Sequence, residues 1–258
     1  MAITSYQIAD LLRTAVGASP KHRYTAAIVA AAGSSTRMGG EISKQLLPVE
    51  GIPVLARTLL AYEEAKTVDE IVLVARREDF DAFLALAKQY HITKLRRITE
   101  GGESRQASVL RGLEAVSDKT KFVAIADGAR CLVTPDMIDH VNVASWREGA
   151  ACAACPVTDT VKLATAKGYA QKEAPDRETV WLAQTPQSFA LPLYRAAAYH
   201  AKEKGNTATD DAALVSAIGQ PVRLVDCGKD NIKITTKDDL YLARAILSRR
   251  EEQKEDKV

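Results

Sequence analysis

Two cations, Arg37 and Lys44, follow the turn-forming run Ala31-Ala32-Gly33-Ser34-Ser35-Thr36. Gly33 and the three hydroxyl residues after it permit a tight turn and offer backbone N–H and hydroxyl donors. The residues just upstream, Ala26-Ala27-Ile28-Val29-Ala30, are small or β-branched with no polar alternation. Such a run reads as a strand buried on both faces, as in a parallel sheet. A loop of donors with fixed positive charge, placed past the carboxyl end of such a strand, is where an α/β sheet binds phosphate. An ordinary strand-to-helix turn with two solvated cations fits the same pattern. The chain has no Gly-x-x-x-x-Gly-Lys-Ser/Thr and no Gly-x-Gly-x-x-Gly, so neither a P-loop nor a dinucleotide fingerprint is present.

Three further stretches could do chemistry. Gly101-Gly102-Glu103-Ser104-Arg105-Gln106-Ala107-Ser108 opens a helix that continues through Leu110 and Leu113. Paired glycines let a flat ring approach the backbone, or simply make a flexible turn. Asp127-Gly128-Ala129-Arg130 follows the apolar run Phe122–Ala126. A carboxylate there can bind ribose hydroxyls or lie near a metal. Lys233, in Asp230-Asn231-Ile232-Lys233-Ile234-Thr235, is either a phosphate-facing cation or a solvated lysine beside an edge strand. Cys152 and Cys155 form a Cys-x-x-Cys, but they sit in Ala151–Val157, a run of small residues that reads as a buried strand. With no second cysteine pair to complete a zinc site, packing explains them better than redox or metal chemistry.

The elements that must position these residues alternate. Pro53 stands just inside the start of a helix from Val54 to Tyr62. Ile71–Val74 is a second apolar strand and Leu95–Ile98 a weaker third. Between them Phe80, Phe83, Leu84 and Ala87 recur at helical spacing, which is a core stripe. Phe122–Ala126 is the fourth strand, and Thr134-Pro135-Asp136 caps the next helix. Strand and helix in turn predict an α/β fold with a doubly wound, mostly parallel, Rossmann-like sheet. From Val157 the pattern changes. Thr158–Leu163 alternates, Gly168-Tyr169 is a turn, and Thr179–Leu182 alternates again, predicting a protruding β-ribbon over about residues 157–184. An isolated ribbon is marginally stable and needs a partner surface. Thr209-Asp210-Asp211 opens a helix with dipole-complementing acids, Val222–Val225 is a strand, and Thr236-Lys237-Asp238-Asp239 is a capping box. Residues 1–24 are an N-terminal extension with a short amphipathic helix, 25–248 a single domain, and 249–258 a charged, frayed tail.

The chain has 258 residues, enough for one large core, and a formal net charge of +2. That balance disfavours a nucleic-acid partner. Four cysteines are too few for a disulfide scaffold in a chain this long. The N-terminal leucines are interrupted by Asp10 and Arg13, unlike a secretory apolar region, and no stretch is long and apolar enough to span a membrane.

Ala31-Ala32-Gly33-Ser34-Ser35-Thr36-Arg37-Met38-Gly39, followed by Lys44-Gln45-Leu46-Leu47-Pro48, resembles the signature of the sugar-phosphate nucleotidyltransferases. More narrowly, it resembles the 2-C-methyl-D-erythritol 4-phosphate cytidylyltransferases of the non-mevalonate route to isoprenoid precursors. The resemblance runs from about Thr25 to Leu247. It implies a transfer of CMP from CTP to 2-C-methyl-D-erythritol 4-phosphate with release of pyrophosphate. It assigns CTP to Ala31, Ala32, Gly33, Arg37, Lys44, Gly102, Glu103, Ser108, Asp127 and Gly128. It assigns the acceptor to Asp127, Arg130, Thr160, Arg177, Thr185, Thr209 and Lys233, and the catalytic roles to Arg37, Lys44, Arg177 and Lys233. It further implies Mg²⁺ held mainly by the CTP phosphates, a homodimer in which each arm brings Thr160 and Arg177 to the neighbour's site, and a cytoplasmic enzyme. Glu103 stands where the family more often has aspartate, and Gly128 and Cys131 replace alanine and proline of the usual Asp-Ala-Ala-Arg-Pro.

Three other readings compete. A ribitol 5-phosphate cytidylyltransferase would share the fold, but Asp159-Thr160-Val161-Lys162, Asp176-Arg177 and Asp230–Lys233 favour the methylerythritol acceptor. An NAD-dependent oxidoreductase lacks its glycine fingerprint here. A non-catalytic nucleotide sensor would not need Arg37, Lys44, Arg177 and Lys233 together.

Overall fold

The computed structural model describes residues 22–33 and 43–255. The expected N-terminal helix, the Ser34–Thr36 turn and Arg37 lie outside the described residues.

Strand β1 is Thr25–Ala30, and all but Ala30 are buried. A short 3₁₀ turn, Lys44–Leu46, leads to a small hairpin of β2 (Pro48–Val49) and β3 (Ile52–Pro53). Glu50 and Gly51 join them at φ 47° and 73°, the left-handed pair that a tight hairpin turn needs. Helix α1 (Val54–Glu64) follows. Pro53 is its N-cap rather than a residue of its first turn, because that proline is committed to β3.

Next come β4 (Glu70–Ala75), α2 (Phe80–Gln89), β5 (Leu95–Glu100), α3 (Arg105–Glu114) and β6 (Phe122–Asp127). After these lie α4 (Pro135–Glu148), β7 (Ala150–Pro156), β8 (Trp181–Ala190) and α5 (Leu191–Lys204). The chain closes with α6 (Asp211–Ala217), β9 (Arg223–Asp226) and α7 (Lys237–Glu255).

The large sheet has 7 strands in the order β5-β4-β1-β6-β8-β7-β9. Its pairings are parallel except those made by β8, which runs against β6 and β7. Successive side chains of a strand point to opposite faces. Ala26 and Ile28 accordingly join a core with Val109 and Leu113 of α3 and Tyr194 of α5. Ala27 and Val29 join a second core with Leu55 and Leu59 of α1 and Phe83 of α2. That is the doubly wound arrangement, and it leaves the carboxyl ends of β1 and β6 side by side.

Helix α3 packs unusually close to β1. A Cβ on Gly112 would meet Ile28 Cγ2 at 2.4 Å and Val74 Cγ2 at 2.9 Å, so only glycine fits there. The stripe expected on α2 is corrected at one position. Phe83, Leu86 and Ala87 are buried, whereas Leu84 is exposed.

Two further expectations are corrected. The segment expected as a β-ribbon holds little regular pairing. Over 157–180 it has one isolated bridge, Ala164 to Ala170, and a 3₁₀ turn, Arg177–Thr179. Its alternating residues meet water on both sides, so pairing has no buried face to fix it. The stretch from Trp181 joins the main sheet instead. The C-terminal tail expected to fray from Arg249 is helical through Glu255. Arg249 pairs with Asp230, and Arg250 donates to the carbonyl of Leu132 at 2.8 Å.

Cys152 and Cys155 are buried free thiols within β7. Burial pushes the Cys152 thiol up to about 12, so it stays protonated and inert at neutral pH. Among the described residues, no helix is long and apolar enough to cross a membrane.

Candidate active site

The carboxyl ends of β1 and β6, the entry to α3 and the loop before α7 surround a cleft of about 450 Å³. Of the expected residues, Ala32, Gly33, Lys44, Gly102, Glu103, Ser108, Asp127 and Lys233 line it. Each is brought there by a different local device.

The Gly101–Gly102 loop is pinned by hydrogen bonds. The Gly101 amide donates to the carbonyl of Ala75 at 2.8 Å, and its own carbonyl accepts from Arg111 at 2.8 Å. Ser108 Oγ accepts from the Gly102 amide at 3.0 Å and donates to its carbonyl at 3.3 Å. Ser108 thus fixes the loop. Ser104 caps α3 by accepting from the Ala107 amide at 3.0 Å. The glycines are sterically required, since a Cβ would meet Ala32 Cβ at 2.4 Å from Gly101 and Ala107 Cβ at 2.6 Å from Gly102. The two glycines thus let the loop pack tightly on Ala32 and on the first turn of α3.

A charged cluster lines the same cleft. Asp127, at the end of β6, lies 3.0 Å from Lys233 Nζ and 3.5 Å from both Arg105 Nε and Arg130 Nε. Burial opposes its charge, but Lys233, Arg105 and Arg130 prevail and hold the carboxyl below the usual carboxylate range. Its backbone amide donates to Thr185 Oγ1 at 3.0 Å, which ties β6 to β8 here. Gly128 makes the turn after Asp127 by donating to the carbonyl of Ala30 at 2.9 Å. A Cβ there would meet that carbonyl and Ala31 Cβ at 3.2 and 3.3 Å, so the family's usual alanine needs only a small adjustment.

Lys233 is held by its loop. Asn231 is fully buried and donates to Gln184 Oε1 at 3.0 Å and to the Thr185 carbonyl at 2.9 Å. Arg130 donates to the Asn231 carbonyl at 2.6 Å, and the Ile234 amide donates to Ala129 at 2.8 Å. Lys44 Nζ donates to the Ile234 carbonyl at 3.1 Å. Both lysines therefore reach one cleft from distant parts of the sequence.

Other expected residues lie apart from this lining. Ala31 is buried behind it. Thr209 is exposed, and the N-cap of α6 is Asp210, whose side chain accepts from Ala213. Thr160 and Arg177 lie in the exposed 157–180 segment, where Arg177 donates to the Thr158 carbonyl at 3.3 Å. Within one chain they do not line the cleft. Arg105, Gln45 and Ser104 do line it, although the resemblance gives them no role.

A profile of the 2-C-methyl-D-erythritol 4-phosphate cytidylyltransferase family matches residues 25–249. A protein of that name from Desulforamulus reducens is 44% identical over 225 residues, covering 87% of this chain and 96% of its own. One of the same name from Synechococcus sp. is 43% identical over 223 residues, covering 86% and 99%. The crystal structure of 4-diphosphocytidyl-2C-methyl-D-erythritol synthase from Anaerococcus prevotii superposes with a TM-score of 0.79 at 30% identity, over 88% of this chain and 97% of that one. The enzyme of the family's name from Thermus thermophilus gives 0.69 at 33% identity, over 86% and 98%. This chain belongs to the 2-C-methyl-D-erythritol 4-phosphate cytidylyltransferase family.

Proposed function

We propose that this chain transfers the cytidylyl group of CTP to 2-C-methyl-D-erythritol 4-phosphate and releases pyrophosphate. The observation that carries the reading is a single cleft that brings the Gly102 loop together with a carboxylate ringed by cations. The first suits a planar base. The second suits a ribose and two sets of phosphates.

An acceptor phosphate oxygen attacks the α-phosphorus of CTP. The bond from that phosphorus to the oxygen bridging to the β-phosphate breaks, and pyrophosphate leaves with the electron pair. The nucleophile is already anionic at neutral pH, so no general base is required. The barrier lies in bringing two polyanions together, which positioning and fixed positive charge lower. Lys44 and Arg37 stabilise charge on the α-phosphate and the departing pyrophosphate. Lys233 and Arg130 align the acceptor phosphate. Ala31, Ala32, Gly33, Gly102, Glu103 and Ser108 form the CTP side, and Asp127 with Gly128 meets the ribose. Thr185, Thr209, Thr160 and Arg177 complete the acceptor side, the last two from a second copy.

Mg²⁺ is the metal that suits this donor set. Among the described residues, no group of three His, Cys, Asp or Glu side chains could cage a metal. Magnesium commonly takes one or two carboxylates with phosphates and water. Asp127 would be its one protein ligand, and the ion would supply charge neutralisation of the triphosphate. A homodimer through the 157–180 segment accounts for its exposed Leu163 and Tyr169. A cytoplasmic location suits four buried cysteines, all of them free.

Phosphorus NMR of a reaction containing CTP, 2-C-methyl-D-erythritol 4-phosphate and Mg²⁺ tests the reading. A new diphosphate diester with stoichiometric pyrophosphate is expected. Unchanged CTP at equilibrium with folded protein contradicts it.

A further inference from the structure

A second hollow, of about 330 Å³, is lined by the last turns of α2 and the first residues of β5. It is separate from the cleft, which β5 meets only past its other end, at Gly102. Its apolar lining is Leu84 and Ala87 of α2, Ile92, and Leu95 and Ile98 of β5. Its polar lining includes Lys88, His91, Arg96 and Arg97, all exposed.

Helix α2 ends in a Schellman motif. The Ile92 amide donates to the Ala87 carbonyl at 2.9 Å, and the His91 amide to the Lys88 carbonyl at 3.2 Å. These bonds occupy carbonyls that would otherwise repel an anion at this helix end. The C′ residue of such a motif turns left-handed, and glycine usually holds the place because a Cβ is strained there. Here it is His91, at φ 53°. A bulky residue kept in a strained conformation often serves a site.

Strand β5 is an edge of the large sheet, and its pairing is irregular. Ile71 pairs with Leu95 and Val72 with Arg97, so Arg96 is an extra residue without a partner across the ladder. Such a bulge resets the alternation of side chains. Leu95 and Ile98, three apart, therefore both pack on the core that α1 and α2 share. The two arginines stand between them in the chain.

Among the described residues, no carboxylate pairs with Lys88, Arg96 or Arg97. The hollow thus combines three cations and an imidazole with accessible apolar surface, Leu84 being 52% exposed. Charge on an edge strand also deters pairing with another chain. That purpose needs neither a hollow nor a strained histidine. Guanidinium groups match phosphate oxygens in pairs, and the apolar residues suit a hydrocarbon. A hollow at the small end of the range for ligand sites takes a short one.

We propose that this hollow is a second ligand site, for a soluble phosphate monoester of a short apolar alcohol. Arg96, Arg97, Lys88 and His91 hold the phosphate, and the chain lies against Leu84, Ile92 and Leu95. The site does not depend on the cytidylyl-transfer reading.

Calorimetric titration of the full chain with hexyl phosphate is the test, with inorganic phosphate and hexanol as separate probes. Hexyl phosphate is expected to bind at least about tenfold more tightly than either half. Arg96→Gln with Arg97→Gln weakens it about tenfold or more. Lys44→Ala, in the cleft, leaves the affinity within about twofold. Leu84→Asn narrows the advantage over inorganic phosphate to about threefold. His91→Gly weakens binding about threefold, yet raises the melting midpoint by about 2–4 °C because the strain is relieved. Hexyl phosphate bound no more tightly than inorganic phosphate overturns the proposal. So does an affinity unchanged in the double arginine variant, or one lost in Lys44→Ala instead. If the double variant does not fold, Lys88→Gln decides in its place, and an unchanged affinity there overturns the proposal equally.

Discussion

Lys44 donates to the carbonyl of Ile234, the residue that follows Lys233, so the cleft gathers its cations through backbone as well as charge. Removing a pre-organised cation of this kind costs about two to three orders of magnitude in turnover. Lys44→Ala is expected to fold with a near-normal melting temperature and to lose that much kcat. A turnover within a few-fold of wild type contradicts the role. Asp127 makes a pH prediction. Its folded-state pKa lies below the ordinary value, so the stability it contributes is present above the ordinary carboxylate pKa. That stability is lost as pH falls toward the folded value. Asp127→Asn is therefore expected to lower unfolding stability by about 1–3 kcal/mol at pH 7, allowing for the partial exposure of Lys233 and Arg105. The difference should shrink at pH 3, as read by urea unfolding at both values. A difference that grows on acidification contradicts the assignment.

Two elements carry the site's precision, α3 and the loop before α7. Gly112 lets α3 sit against β1, so Gly112→Ala is expected to cost about 1–3 kcal/mol through overpacking on Ile28 and Val74. Thermal unfolding reads this, and an unchanged midpoint refutes it. Asn231→Ala should instead act on function. It frees the Lys233 loop from Gln184 and Thr185, so the acceptor KM rises more than the CTP KM.

Such contrasts explain what the sequence made legible. The buried strands were readable because a parallel strand covered on both faces leaves an unbroken apolar run, as in Ala26–Val29 and Ile71–Val74. Ser104 and Asp210 were less so, since several polar residues stand near each helix start and only backbone geometry selects the cap. The helical course of Arg249–Glu255 was hidden because it depends on long-range partners, Asp230 and the Leu132 carbonyl. The 157–180 segment alternates like a strand, but nothing in its pattern says whether a second surface is there to pair it. Asp211 was visible only as a first-turn acid, and its tie to Arg105 is purely tertiary.

At the scale of the whole molecule the question is whether one chain suffices. Thr160 and Arg177 do not line the cleft of their own chain. In the proposed twofold dimer, each copy would lend its 157–180 segment to the other. Complementation tests it. Lys44→Ala and Arg177→Ala should each be nearly inactive. Refolded together, their mixed dimers hold one site with both residues intact, so up to about a quarter of wild-type activity returns. No recovery in a verified mixed dimer contradicts arm exchange.

The most direct measurement is pyrophosphate release from CTP with and without Mg²⁺, offering 2-C-methyl-D-erythritol 4-phosphate and ribitol 5-phosphate in parallel. Metal-dependent release with the methylerythritol acceptor alone is the predicted result. Release with ribitol 5-phosphate alone would keep the CTP site and contradict the acceptor, and release with neither would contradict catalysis itself.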